Sequence, residues 1–318
     1  MIAAQDIKTI GVVGTGLIGA SWTTYFLSQG FTVRATDPAP NAKEKLYAFI
    51  TKAWQTLADN NLIKDNASLD NLSFDEDMHS ALANVDFVQE NAPERLEFKI
   101  DLIAQISNIV RPNVIIASSS SGLLPSDFQI NANLPERVLL GHPFNPLHII
   151  PLVEVVGGKL TAPHYIDQAM AFYQAIGKTP IRLNKEIKGH IANRLQFALF
   201  REVMYLLENE VASVADIDKA VSEGLGLRWA IMGQFMTSGL GGGEGGFGHM
   251  MAHLGGAIED WWADLGTLER INPETVRQVD TELRQIFSKY PQEKIIKARD
   301  ELIIETIKAK KATTDLPE

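Results

Sequence analysis

The stretch Ile10-Gly11-Val12-Val13-Gly14-Thr15-Gly16-Leu17-Ile18-Gly19 decides the fold. The apolar run Ile7–Val13 reads as a buried strand. Ala20–Gln29 behind it reads as a helix that stops at Gly30. A second apolar run, Phe31–Thr36, ends in Asp37. Strand, glycine turn, helix, strand and acid, in that order, are what a dinucleotide site requires. Gly14 permits the tight turn, Gly16 lets a pyrophosphate approach the backbone, and Gly19 lets the helix close on the sheet. The free N–H groups and positive end of the helix then face the phosphates, so Gly14, Thr15, Gly16, Leu17, Ile18 and Gly19 are cofactor-binding candidates. Asp37 stands 18 residues past Gly19. A carboxylate there accepts hydrogen bonds from ribose hydroxyls and repels a 2′-phosphate, so NAD is expected rather than NADP. A glycine-rich turn without a ligand is the alternative; the flanking elements argue against it.

Working outward, 318 residues suffice for two domains with their own cores. Hydrophobic residues are 45% and charged residues 21%, as in an ordinary globular protein. The chain has no cysteine, which excludes disulfides and thiol catalysis. Met1–Lys8 lacks the pattern of a leader, and no apolar run approaches the ~18–20 residues of a membrane span. A cytoplasmic protein without a membrane partner is expected. The net charge of −10, with no basic stripe, argues against nucleic acid.

Alternating apolar runs and helical periods continue to about residue 187, predicting an α/β doubly wound sheet. Asp86–Glu90 reads as a strand that presents Glu90, Asn91 and Glu94 at its carboxyl end, where ligands sit. The next helix, Arg95–Ser107, carries Lys99. Val114–Ala117 runs into four serines, Ser118–Ser121. Arg137–Gly141 ends at His142-Pro143-Phe144-Asn145-Pro146, and Val153–Val156 holds one acid, Glu154, in an apolar run. A buried carboxylate needs a partner, and an acid beside an imidazole would orient it as a general base. Spacing alone leaves two unrelated residues as an equal alternative. Lys185–Gly189 reads as a hinge. Beyond it the pattern is helical throughout, so the predicted domains are 1–187, a Rossmann-like dinucleotide domain, and 188–318, all-α. Gly224–Met232 reads as a loop holding Arg228 and Trp229. Gly239–Gly248, with seven glycines in ten residues, reads as a mobile loop or a helix break. His249 and His253 lack a third ligand, so no metal site is expected. Ala309–Glu318 is expected to fray.

These motifs resemble the 3-hydroxyacyl-CoA dehydrogenase superfamily over nearly the whole chain. The match is carried by Gly14–Gly19, Glu90-Asn91-Ala92-Pro93-Glu94, Ser118–Ser121, His142–Pro146 with Leu152–Val156, and Gly189-His190-Ile191-Ala192-Asn193-Arg194. Within it, Asn91–Glu97, Ser121–Phe128 and Leu152–Ala162 are most similar to the L-carnitine 3-dehydrogenase branch. The L-gulonate 3-dehydrogenase and lambda-crystallin branch comes next. The resemblance implies that Ser121 binds the substrate hydroxyl, His142 is the general base, Glu154 its carboxylate partner and Asn193 the amide near the reacting oxygen. It implies that Glu94 and Lys99 hold the ribose and nicotinamide side of NAD, and that the protein is a homodimer. His190 stands where many members carry Phe.

The expected substrate is a small 3-hydroxy acid. For L-carnitine, the trimethylammonium group asks for aromatic faces; Phe144, Trp229, Phe235, Phe247, Trp261 and Trp262 are candidates, each with core packing as its alternative. Arg194 and Arg228 could meet the carboxylate, and Gly189 and Ile191 flank the same pocket. L-gulonate, 3-hydroxybutyrate or a 3-hydroxyacyl-CoA are alternative substrates. A thioester would draw on Lys43, Lys45 and Lys52, which the acidic balance does not favour. A non-catalytic NAD-binding protein is the remaining alternative, opposed by the joint presence of Ser121, His142, Glu154 and Asn193.

Overall fold

A computed structural model describes residues 2–316. The chain divides into two compact units, Met1–Arg194 and Leu195–Glu318.

The first unit is built on one eight-stranded sheet in the order β3-β2-β1-β4-β5-β6-β7-β8. The strands are β1 (Thr9–Val13), β2 (Thr32–Thr36), β3 (Leu72–Phe74), β4 (Phe87–Glu90), β5 (Ile115–Ser118), β6 (Val138–Pro143), β7 (Leu152–Gly157) and β8 (Thr179–Arg182). β1 to β6 pair in parallel, β7 runs antiparallel to β6, and β8 is parallel to β7. The strand order reverses between β1 and β4, and that switch point is where an open α/β sheet takes its ligand.

Successive residues of a strand face opposite sides, and the two cores follow that period. Ile10, Val12, Phe87, Ile115, Leu139 and Val153 join one cluster, and Val13, Val88, Ile116, Val138 and Leu140 join the other. Helices α1 (Leu17–Ser28) and α2 (Ala42–Asp59) cover the first face. α3 (Met78–Leu82), α4 (Leu96–Ile109) and α5 (Pro125–Phe128) cover the second, and α6 (Pro163–Ala175) returns to the first. On the first face Trp22 stacks on Phe26 at 4.9 Å and Phe87 meets Phe172 at 4.4 Å. Burying a large side chain of this kind is worth roughly 1.5–3 kcal/mol, so these rings are a main anchor of α1 and α6 on the sheet.

Helix α7 (Ala192–Glu208) begins in the first unit and continues into the second. Residues 190–193 stay with the sheet because Glu154 and the serine segment bind them, as described below. The second unit is helical: α8 (Val214–Lys219), α9 (Gly226–Ile231), α10 (Gln234–Gly241), α11 (Gly246–Asp264), α12 (Pro273–Lys289) and α13 (Gln292–Ala312). Its small core gathers Leu207, Val214 and Ile217.

The structure decides three of the sequence readings here. Gly224–Met232 is not a loop, because a π-turn over Ala220–Leu225 joins α8 to α9. A glycine costs a helix about 1 kcal/mol without forbidding it, and the wider turn absorbs Gly224. The run Gly239–Gly248 is a helix break. Gly243 and Gly246 take φ of +58° and +63°, turning the chain from α10 into α11. Of the tail expected to fray, residues 309–312 are helical; Pro317 and Glu318 lie outside the described residues.

Candidate active site

The glycine turn sits at the carboxyl end of β1. Gly14 has φ +81°, and a Cβ there would lie 2.9 Å from the Ala92 backbone nitrogen. A Cβ on Gly19 would lie 1.8 Å from the Gly14 carbonyl oxygen. Both positions therefore exclude a side chain. At Gly16, by contrast, a Cβ would meet nothing within 4 Å. Gly16 is the N-cap of α1 and supplies no side-chain cap. Gly16 thus leaves space at the N-terminus of α1, which fits the phosphates of a dinucleotide. Asp37 follows β2 and binds the turn: one carboxylate oxygen accepts from Thr15 N at 2.7 Å and Thr15 Oγ1 at 3.0 Å, and the other from Ala39 N at 2.9 Å.

The next strand ends are more tightly internalised than the sequence suggests. Glu90 closes β4 fully buried. Lys99 is also fully buried, and its ammonium binds both Glu90 oxygens at 2.8 Å and the Ala92 carbonyl at 3.2 Å. Lys99, expected to hold NAD, here has all three donors taken up by the protein. A buried carboxylate demands a counter-charge, and Lys99 in the first half of α4 is the cation within reach.

Three of the four serines are likewise committed. Ser118 donates to Glu90, Ser119 to Asn91 at 2.7 Å, and Ser120 to Glu94 at 2.6 Å. Ser119 also accepts from Trp22 Nε1 and from Gln89 Nε2. Only Ser121 is exposed, and among the described residues its hydroxyl has no hydrogen-bond partner. Glu94 Oε1 also accepts from Gly122 N and Leu123 N. Burial pushes the Glu94 carboxyl up; the bonds from Ser120, Gly122 and Leu123, with the Lys99 charge, outweigh it and hold the group below the usual carboxylate range.

His142 lies on β6 directly opposite Glu154 on β7. His142 Nδ1 meets Glu154 Oε2 at 2.9 Å, and the two residues are 4% and 0% exposed. Glu154 Oε1 accepts from Ile191 N at 2.8 Å and Ala192 N at 2.9 Å, at the start of α7. Burial pushes the Glu154 carboxyl up, but the His142 hydrogen bond, the two backbone bonds and the His142 charge hold it below its ordinary value. An ionised carboxylate only accepts, so Nδ1 carries the hydrogen and Nε2 is left as a base.

The turn before α7 completes the site. Gly189 and His190 have φ of +75° and +53°. His190 is fully buried, its ring 5.1 Å from that of His142, and its Nε2 meets the Ser120 carbonyl at 3.0 Å. Burial and the neighbouring His142 hold its imidazole below the ordinary value, against the pull of the Ser120 carbonyl and of Glu154 and Glu94. Asn193 Nδ2 donates to the Ser121 carbonyl at 3.3 Å. Phe144 stands edge-on to His142 at 5.8 Å. Ser121, His142, Glu154, Asn193 and Phe144 thus share one corner of the first unit. Arg228, Trp229 and Phe247 belong to the second unit. There Trp229 Nε1 donates to Gln234 at 2.8 Å, and Phe247 meets Phe235 edge-on at 6.1 Å. No sequence signal marks the Glu90–Lys99 pair or Gln89, whose amide ties Ser119 to the Gly141 carbonyl and accepts from Tyr173.

The family model described as 3-hydroxyacyl-CoA dehydrogenase, NAD binding domain, matches residues 9–187, and that of the C-terminal domain matches residues 189–279. The chain belongs to the 3-hydroxyacyl-CoA dehydrogenase family. It is an NAD-dependent dehydrogenase that acts on a small molecule. Among proteins of this family, it is 44% identical to L-carnitine dehydrogenase of Streptomyces coelicolor over 85% of this chain and 84% of that one. It is 43% identical to L-carnitine dehydrogenase of Bacillus cereus, over 95% and 92%. A crystal structure of 5-formyl-3-hydroxy-2-methylpyridine 4-carboxylic acid 5-dehydrogenase, an NAD+-dependent dismutase, superposes with a TM-score of 0.84 at 25% identity, covering 96% of this chain and 99% of that one. No helix among the described residues is long and apolar enough to cross a membrane.

Proposed function

We propose that this family member oxidises the 3-hydroxyl of L-carnitine to the ketone. The observation that carries the substrate is its 43% identity, over 95% of the chain, to a relative named L-carnitine dehydrogenase. The chemistry rests on His142 and Glu154. His142 Nε2 accepts the hydroxyl proton, and Glu154 stabilises the imidazolium that forms. Bound NAD would supply the hydride acceptor for the same carbon. Ser121, with its free hydroxyl, binds the substrate oxygen, and Asn193 holds the Ser121 backbone and lies next to that oxygen. General-base assistance of this type is worth about 10²–10⁴ in rate.

Gly14–Gly19 binds the pyrophosphate. Asp37 takes the adenosine ribose hydroxyls, and Glu94 orders the serine segment beside the nicotinamide half. Phe144 offers an aromatic face beside His142 for the quaternary ammonium, and Trp229 and Phe247 are further faces to test by substitution. Exposed Phe197, Phe200, Trp261 and Trp262 favour burial by a second copy in a homodimer.

The deciding experiment is NADH formation with L-carnitine, D-carnitine, L-gulonate, L-3-hydroxybutyrate and its CoA thioester. Turnover of L-carnitine alone is expected. Turnover of another member without L-carnitine would overturn the substrate and keep the mechanism.

A further inference from the structure

We infer that two backbone N–H groups at the start of α7, those of Ile191 and Ala192, are positioning groups of the base, holding Glu154 as the anion that keeps the transferred proton on His142. The inference rests on His142 being the base, as proposed above.

Glu154 is fully buried and makes three hydrogen bonds, only one of them to His142. A buried carboxylate facing an imidazole alone has two nearly equivalent arrangements. It can remain an anion beside an imidazolium, or take the proton and leave both groups neutral. Low dielectric favours the neutral arrangement. The Ile191 and Ala192 N–H groups favour the anion, since they have no lone pair to offer the hydrogen of a carboxylic acid. They sit at the positive end of a 17-residue helix. Together they bias the pair toward carboxylate and imidazolium.

The arrangement depends on the turn before α7. Gly189 and His190 both adopt left-handed backbone, and the chain then enters α7 with two successive amides on one oxygen. Asn193 follows directly, so the same cap that holds Glu154 also places the amide that holds Ser121. The charged and titratable groups facing the pair are few. His190 lies beside His142, and Glu94 and Glu154 act on His190 from other elements.

Ala192 is the first residue of the helix. Replacing its amide by an ester, with lactate at position 192, removes one N–H and adds no atoms against Glu154 Oε1. With one donor lost, Glu154 becomes more basic, and the pair holds its proton more tightly and closer to the carboxylate. The acid limb of the kcat/KM profile therefore moves up by about 0.5–1 pH unit, with KM for NAD unchanged. Ala192→Gly keeps the N–H, and its limb stays with the wild type. A limb that stays in place in the ester variant, with only the melting temperature lowered, would overturn the inference.

A second measurement needs neither substrate nor a folded variant. In uniformly 13C,15N-labelled full-length protein with assigned backbone resonances, the Ala192 amide resonance is expected to move in step with the His142 ring resonances as pH changes. A resonance that is flat across that range overturns the coupling. Because this readout is independent of turnover, failure of the carnitine reading leaves it standing.

Discussion

At the carboxyl ends of β1 and β2, the glycine turn and its acid come from one stretch, Ile10–Asp37. At β6 and β7, the pair His142 and Glu154 is made by strand register, and its supports come from residues 190–193 and from the serine segment. The first region is local: Gly14 answers to the adjacent strand end and Gly19 to Gly14, while Gly16 stands clear. The second is assembled from three separate parts of the chain. A local region tolerates little change at its own residues and little consequence from elsewhere. An assembled one is exposed to changes at any of its sources.

Substitution can break either region without the other. His142→Gln removes the base and should lower kcat by about 10²–10⁴-fold while NAD affinity, measured by fluorescence titration, stays at the wild-type value. Near-normal turnover would remove His142 from the role proposed. Lys99→Met tests what lies between the regions. It leaves the Glu90 carboxylate buried and unpaired, at a cost of about 3–5 kcal/mol in urea unfolding. A cost below about 1 kcal/mol, the range of a surface pair, would mean that Glu90 finds another partner.

Gly19→Ala does the reverse of His142→Gln. Its methyl group would sit 1.8 Å from the Gly14 carbonyl, so the turn must shift. NAD binding should weaken by about 10- to 100-fold, read by calorimetry. Unchanged affinity would show that the turn yields without moving its amides.

The smallest effect sharpens the comparison. The His190 imidazole is held below its ordinary value, first by burial. The unfolded chain therefore binds a proton that the folded chain resists. The stability from neutral His190 is complete above the unfolded value and is lost as pH falls below it. Wild-type protein should lose stability between pH about 7 and 5.5, and His190→Phe should lose less over the same range. Equal slopes in denaturant titrations would assign the acid sensitivity to other groups.

Much of the first region is legible in the sequence, because a dinucleotide turn is a short-range pattern of strand, glycines, helix and acid. The candidate residues of the second region are legible only as separate motifs. Among Ser118–Ser121, for example, sequence offers four identical hydroxyls. The fold engages three with Glu90, Asn91 and Glu94 and leaves Ser121 free. Lys99 shows the converse. A lysine near a cofactor motif looks like a ligand group until the buried Glu90 is seen to need its charge. The helix over Gly226–Ile231 escapes a sequence reading because glycine lowers helix propensity by an amount that neighbouring turns can overcome.

By itself, then, the sequence determined the strand–turn–helix that binds a dinucleotide, the change from sheet to helices near residue 188, and the set of residue types available for proton transfer. These follow from periodicity and from the few residues that a tight turn admits. Only the tertiary structure decided which side chains are engaged and which are free. Antiparallel pairing of β6 with β7 put His142 opposite Glu154, and the left-handed turn at Gly189 and His190 brought two helix amides to the same carboxylate. Hydrogen-bond partners and buried charges are set by distances across the fold, which no spacing along the chain encodes.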